Sequence, residues 1–378
     1  MRLNNEHGII VARILILTDP IGKPSYAPRI RYLCDYLSNK GYDITVYTEQ
    51  IEDNLPFEHT YPINQWRIYR NSWDWALKSL WSLLTDWRNS HFTQLVRQAV
   101  GKQSFDLVFC TTFSTFPLPT AAALASEMNI PWIADIRDLD EQIAGAQYQS
   151  HRQWFLRPFR KWYSRTNIRR RNRALQSATA VTTVSPWHVQ FISRITPAPV
   201  TLVYNGFAPE TYRFEPVPAP IFTISYIGRL YEFQQDAVTC IQKAVNELNL
   251  PDLKLQLIHS GLTTDQVAQE INRSSIMLVF TSKQTHGMMT TKFYEALGCE
   301  KPVLCIPSDD GVLAQAISDT NAGLATGNME QIKTFIRSRY EEWKRNGYTH
   351  QNVINKNRFS RLTEAHQFED CIRHSARL

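Results

Sequence analysis

The chain has 378 residues, 43% hydrophobic, 20% charged and 12% aromatic, with 41 Lys and Arg against 35 Asp and Glu. That length and composition suit one large or two medium buried cores and exclude disordered, collagenous and disulfide-scaffold classes. The formal charge of +6 has one source: ten Lys and Arg and no acidic residue lie between Gln142 and Pro209, leaving 31 basic against 35 acidic residues elsewhere.

Such a block implies an anionic partner: a membrane surface, a nucleic acid or a phosphorylated substrate. The six cysteines are scattered, with no C-x-x-C pair, and read as reduced, mostly buried thiols of a cytoplasmic protein. The apolar run from Ile9 to Leu17 is interrupted by Arg13 and lacks a cleavage site, so it is a poor signal peptide. No run reaches the roughly 18 apolar residues of a membrane span. The expectation is a soluble or peripheral protein.

In chain order, Arg13 to Thr18 reads as a buried strand running into a loop with Pro20, Gly22 and Pro24. Ile30, Leu33, Cys34 and Leu37 then recur at helical spacing from Pro28 to Lys40, with Gly41 as a stop, and Asp43 to Thr48 is a second strand. This is a βαβ unit, the opening of a doubly wound parallel sheet. The pattern repeats with strand Phe105 to Cys110, helix Pro119 to Asn129, strand Ile130 to Asp135, and strands Ala178 to Val184 and Val200 to Tyr204. Pro209 to Pro220 holds four prolines without periodicity and reads as a linker.

A second α/β series follows the linker. Strands Phe222 to Ile227, Leu253 to His259, Ile276 to Phe280 and Pro302 to Ile306 alternate with helices Asp236 to Leu248, Thr264 to Asn272 and Thr291 to Leu297. The tail from Glu330 is polar and helical in pattern. Two Rossmann-like domains in tandem predict ligand binding beyond the carboxyl ends of their strands.

Two segments stand apart. Trp73, Leu77, Leu80, Trp81, Leu84 and Trp87 share one helical face. In the basic block, Phe155, Phe159, Trp162 and Tyr163 also follow helical spacing among cations that include Arg152, Arg169, Arg170 and Arg171. Aromatic residues favour a half-wet interface and Lys/Arg favour anionic headgroups, so residues 152–173 predict contact with an anionic membrane surface. The alternative is that both helices pack on their own sheets and the charges are merely solvated. The block lacks the base-stacking pattern of nucleic-acid modules, so no nucleic-acid partner is expected.

Six fragments, in order, carry a resemblance: L-S-N-K-G-Y-D-I-T-V-Y-T (37–48), P-W-I-A-D-I-R-D (131–138), A-T-A-V-T-T-V-S (178–185), V-Y-N-G-F (203–207), I-S-Y-I-G-R-L (224–230) and T-K-F-Y-E-A-L-G-C-E-K-P-V-L (291–304). Together with Arg29 in the helix after the first loop, they are similar to GT-B glycosyltransferases of the retaining family 4 (group 1) type over nearly the whole chain. The resemblance implies an α/β fold of two Rossmann-like domains facing a central cleft. Residues 1–208 would form the acceptor side, 209–220 the linker, and 221–345 the nucleotide-sugar domain, with 346–378 a helical tail packing back on the first domain. Only Gly261 to Ser275 joins two strands between which such proteins carry a further strand and helix, so the second domain is expected to be short by about one βα unit.

It also implies the chemistry. A nucleotide-sugar donor leaves as a diphosphate, so its site needs cations and close backbone amides. Gly228, Arg229 and Lys292 would hold the two phosphates, Glu295 the ribose hydroxyls, and the loop with His286 and Gly287 the sugar or a phosphate ahead of a helix N-terminus. Lys292 and Glu295 also read as a helix-surface ion pair. Gly287 stands where the family's fuller pattern has a second Glu. Asp135, Arg137 and Asp138 would face the reacting sugar and acceptor as positioning and charge-stabilising groups, with an Asp135–Arg137 ion pair as the alternative. Ser185, Asn205 and Gly206 would edge the cleft. Asp138 and Asp140 spell D-x-D, but tandem Rossmann halves argue against a metal site, so neither metal nor cofactor is expected, only the nucleotide-diphosphate sugar with its base open.

The implied function is a metal-independent hexosyltransferase, peripheral on the inner face of the cell membrane. It would move a sugar to a glycan or lipid-linked acceptor in polysaccharide or glycoconjugate biosynthesis. A non-catalytic relative acting as a binding subunit is the alternative.

Overall fold

The computed structural model describes residues 2–3, 9–19, 28–49, 60–63, 71–113, 115–142, 157–231, 234–259, 261–281 and 287–378. His286, Arg152, Phe155 and the loop around Gly22 lie outside them. The chain divides into two compact units: residues 1–141, 145–203 and 365–378 in one, and 142–144 with 204–364 in the other. The proline-rich run 209–220 thus belongs to the second unit, and the chain's last residues to the first.

The first unit begins with a short antiparallel pair, β1 (Arg2–Leu3) and β2 (Ile9–Ile10), followed by β3 (Arg13–Thr18), α1 (Pro28–Asn39), β4 (Asp43–Glu49) and β5 (Thr60–Ile63). Then come α2 (Ser72–Thr85), α3 (Trp87–Val100), β6 (Leu107–Thr112), α4 (Leu118–Met128), β7 (Trp132–Ile136), α5 (Arg157–Leu175), β8 (Ala180–Thr183), α6 (Pro186–Ile192) and β9 (Val200–Leu202). Seven strands form a parallel sheet in the order β5-β4-β3-β6-β7-β8-β9. Both faces are covered, and the strand period of two shows it: Leu15 and Leu17 pack with Phe92, Val96 and Leu124, while Ile14 and Ile16 pack with Leu33, Leu37 and Phe368. This explains why β3 reads as a continuous apolar run.

One helix expected across Trp73 to Trp87 is two. Asn71 caps α2 by accepting from the Asp74 amide, and Asp86 at φ 50° closes it and opens α3. A left-handed residue cannot continue an α-helix, so the chain turns there.

The second unit contains β10 (Phe222–Ile227), α7 (Gln235–Leu248), β11 (Leu253–Ile258), α8 (Thr264–Arg273), β12 (Ile276–Phe280), α9 (Thr291–Gly298), β13 (Val303–Ile306), α10 (Val312–Asp319), β14 (Gly323–Ala325) and α11 (Met329–Asn346). A final helix, α12 (Arg361–Ala376), follows a short 3-10 turn, Lys356–Phe359. Its sheet has five parallel strands in the order β11-β10-β12-β13-β14. Between β11 and β12 the described residues hold only α8, opened by a capping box of Thr263 and Gln266. The outer strand of a six-stranded Rossmann half has no counterpart among them. Ile227, Met277, Val279 and Val303 face one layer, and Phe222, Ile224, Ile276 and Leu278 the other.

Candidate functional site

In the second unit the groups of interest gather at the carboxyl end of β10 and the start of α9. Gly228 leaves β10 at φ 131°, a conformation L side chains rarely adopt, and donates its amide to the Ile258 carbonyl at 2.8 Å. Lys292 lies across it, with a β-carbon on Gly228 coming within 2.6 Å of the lysine Cε. The lysine Nζ sits 5.1 Å from the centre of the Tyr226 ring, and burial lowers its pKa while Glu295 opposes that shift. Arg229 is exposed, 5.4 Å over the Tyr231 ring, and makes no ion pair among the described residues. Thr290 caps α9 through the Lys292 amide, and Gly287 precedes it at φ 64°.

Lys292 and Glu295 are not an ion pair within hydrogen-bonding reach. Glu295 instead accepts from the Tyr212 hydroxyl at 3.1 Å, and burial raises its carboxyl pKa against the pull of Tyr212, Lys292 and Arg361. The same neighbourhood pushes the Tyr212 hydroxyl upward, burial first and Glu295 next. Tyr212 reaches Glu295 because Gly298 in α9 has no side chain: a β-carbon there would come within 2.7 Å of Phe207 and 2.9 Å of Tyr212. Sequence reading missed Tyr212, which no motif marks.

In the first unit a second cluster lies at the carboxyl ends of three adjacent strands, β3, β6 and β7, the side on which open α/β sheets take ligands. Arg137 pairs with buried Asp19 and lies 3.9 Å over the ring of Phe113. Burial raises the Asp19 carboxyl pKa, with Arg137 and the Phe113 amide opposing. The Arg137 Nε is buried without a hydrogen-bond partner among the described residues. Asp138 next to it donates its amide to the Phe113 carbonyl at 3.0 Å and is reached by solvent. Its carboxylate bonds to no described residue, but crowding protein desolvates it and raises its pKa to about 6, with Arg137 opposing and Asp19 and Asp140 adding. Asp19 was not legible in the sequence, since its strand end carries no motif.

Asp135 is not part of that cluster. It is 1% exposed, and its two oxygens take bonds from Arg29 at 2.9 and 3.2 Å and from Thr111 and Thr182 at 2.8 Å each. Arg29 also donates to the Val203 carbonyl and lies 4.5 Å from the centre of the Phe368 ring. The ion pair considered between Asp135 and Arg137 is thus replaced by two longer-range pairs, Arg29–Asp135 and Asp19–Arg137. A carboxylate with four protein donors and no solvent organises the sheet and is closed to a substrate.

Two of the three residues expected at a cleft edge have structural tasks. Ser185 is fully buried and caps α6 by accepting from the His188 amide. Gly206 donates its amide to Glu364 at 3.3 Å, and a β-carbon on it would come within 2.6 Å of the Phe359 carbonyl, so its smallness serves backbone packing. Asn205 precedes it in the chain. Asp140 accepts from Ser164 at 2.8 Å.

The basic block is likewise divided. Arg171 is 1% exposed and forms two bonds to Glu141 at 2.7 and 2.9 Å. Arg170 reaches Asp86 and the Ser82 and Leu83 carbonyls. These two arginines, expected at a membrane surface, are structural. No helix among the described residues is long and apolar enough to cross a membrane.

Residues 28–211 match the family model for Glycosyltransferase Family 4. In structure the chain resembles HepE of Anabaena in complex with UDP-glucose, at 15% identity and a TM-score of 0.60, over 96% of this chain and 99% of that one. The chain has the GT-B fold. A glycosyltransferase from Rickettsia africae is similar at 12% identity and a TM-score of 0.56, covering 96% and 98%. A putative UDP-N-acetylglucosamine 2-epimerase from Listeria monocytogenes is similar at 12% identity and 0.59, covering 96% of both chains. No functionally curated protein matches in sequence.

Proposed function

We propose that the protein is a retaining, metal-independent glycosyltransferase that moves a hexose from a nucleotide-diphosphate donor to a glycan or lipid-linked acceptor. It would work at the cytosolic membrane face, in polysaccharide or glycoconjugate biosynthesis. The observation that carries the reading is the packing of Lys292 against Gly228 at the end of β10, beside Arg229, which has no ion-pair partner among the described residues. Two cations, a strand end without a side chain and the positive end of α9 suit a diphosphate whose charge grows as the glycosidic bond breaks. Glu295, held by Tyr212, would accept from the ribose hydroxyls.

The first unit would take the acceptor near Asp138, with Arg137 fixed by Asp19. No dedicated base is required if the leaving phosphate accepts the acceptor's proton on the same face. The UDP-glucose bound by HepE makes UDP-sugars the first donors to test. A thermal-shift panel of UDP-, GDP- and ADP-sugars tests the reading: one group should raise the melting temperature, and no shift with any of them would refute it.

A second reading, a non-catalytic binding subunit, draws support from the burial of Asp135 and Arg137, which leaves Asp138 alone of the three open to solvent. It predicts donor binding without turnover on any acceptor extract.

A further inference from the structure

α2 is inside out. It turns Ser79 and Leu83 inward and leaves Trp73 73%, Leu77 66%, Trp81 53% and Leu84 67% exposed, with Leu80 at 37% between them. Burying such residues is worth about 1.5–3 kcal/mol each, so a helix that presents them to water implies a partner that removes them from it.

The neighbouring helix indicates which partner. On α5, Arg157, Lys161, Arg165, Arg169 and Arg173 recur every fourth position, all exposed, and none has an ion-pair partner among the described residues. Trp162, 43% exposed, stands beside them. The two helices touch where Arg170 bonds the Ser82 and Leu83 carbonyls of α2. At 3.6 residues per turn, Arg169 and Arg173 lie within about a third of a turn of that contact. The end of the cation row at Arg169 and Arg173, without ion-pair partners among the described residues, thus lies beside the end of α2 that carries Leu80, Trp81 and Leu84.

We propose that α2 and α5 form an anionic-lipid docking surface, with the α2 stripe entering the headgroup boundary and the α5 cations binding the headgroups. The proposal deepens the membrane-face reading above and moves it from the whole basic block to one stripe on each helix, with Arg170 and Arg171 excluded. A nucleic acid would leave the apolar stripe in water, and a second copy meeting this face would bring two cationic rows together.

Vesicle flotation of the full chain tests it, using phosphatidylcholine alone and phosphatidylcholine with phosphatidylglycerol. The wild type should float with the anionic vesicles only and release at high salt. Leu77→Ser with Leu84→Ser should weaken flotation about tenfold or more per leucine. Lys161→Glu, Arg165→Glu and Arg169→Glu together should weaken it about fivefold or more per residue. Because these side chains are exposed, both variants should keep the wild-type melting temperature and nucleotide-diphosphate binding, read without vesicles. Absence of flotation, flotation unchanged in both variants, equal binding to neutral vesicles, or a Leu77-dependent dimer or RNA complex in place of flotation would each overturn the proposal. Nucleotide binding is a separate readout, so failure of the donor reading would not be mistaken for failure of docking.

Discussion

Lys292 lies across Gly228 so closely that a β-carbon on the glycine would stand 2.9 Å from the lysine Nζ. The lysine's position and the glycine's lack of a side chain are one feature, and the proposed function puts a donor phosphate there.

Gly228→Val should therefore act through Lys292. The added side chain displaces the ammonium group and strains a backbone at φ 131°. Calorimetric titration should show donor affinity falling as far as in Lys292→Ala, about tenfold or more for a lost charged hydrogen bond. Donor affinity equal to wild type in either variant would show that the phosphates bind elsewhere.

Tyr212 is expected to position Glu295. Tyr212→Phe removes one hydrogen bond, about 1 kcal/mol, and should weaken donor binding roughly fivefold while leaving turnover at saturating donor nearly unchanged. A matching loss in a donor that lacks the ribose hydroxyls would contradict the role, since Glu295 would then have nothing there to bind.

Asp138 should produce opposite pH trends in activity and stability. Its folded-state carboxyl is raised from 3.8 to about 6, so the folded chain binds the proton more tightly than the unfolded one. Its contribution to stability is then fully present below about 4 and is lost as pH rises toward 6. Activity that needs the ionised carboxylate should instead rise through the same region. Asp138→Asn should flatten the acid limb of the rate profile and the matching slope in urea midpoints. An unchanged acid limb would remove Asp138 from the chemistry.

Asp135 gives the contrasting case. Asp135→Ala leaves Arg29 charged and buried without its carboxylate, which should cost about 3–5 kcal/mol in urea unfolding. Any loss of activity should track loss of folded protein. A stable, inactive Asp135→Ala would restore the catalytic role first inferred from its motif.

Much of the fold was legible because parallel strands buried on both faces read as short apolar runs, as in β3, β6 and β12, broken by glycine and proline. The Asp86 break was not, because a left-handed aspartate looks like any polar residue between two helical patterns. The donor-side motif named both Gly228 and Lys292, which the structure places against one another. It could not show Tyr212 bonding Glu295 across 83 positions, or Arg29 bonding Asp135 across 106. Long-range pairing was also what separated Arg170 and Arg171 from the exposed arginines of the same helix. Charge counts register the residues but not which of them have partners.

The central claim, that the end of β10 and the start of α9 hold a nucleotide diphosphate, is tested most directly by titrating UDP, GDP and ADP into wild type, Arg229→Ala and Lys292→Ala. One nucleotide should bind the wild type and lose about tenfold or more in each variant, with the folded state intact by circular dichroism. Binding of the same nucleotide with wild-type affinity to both variants, or of none to the wild type, would contradict the account.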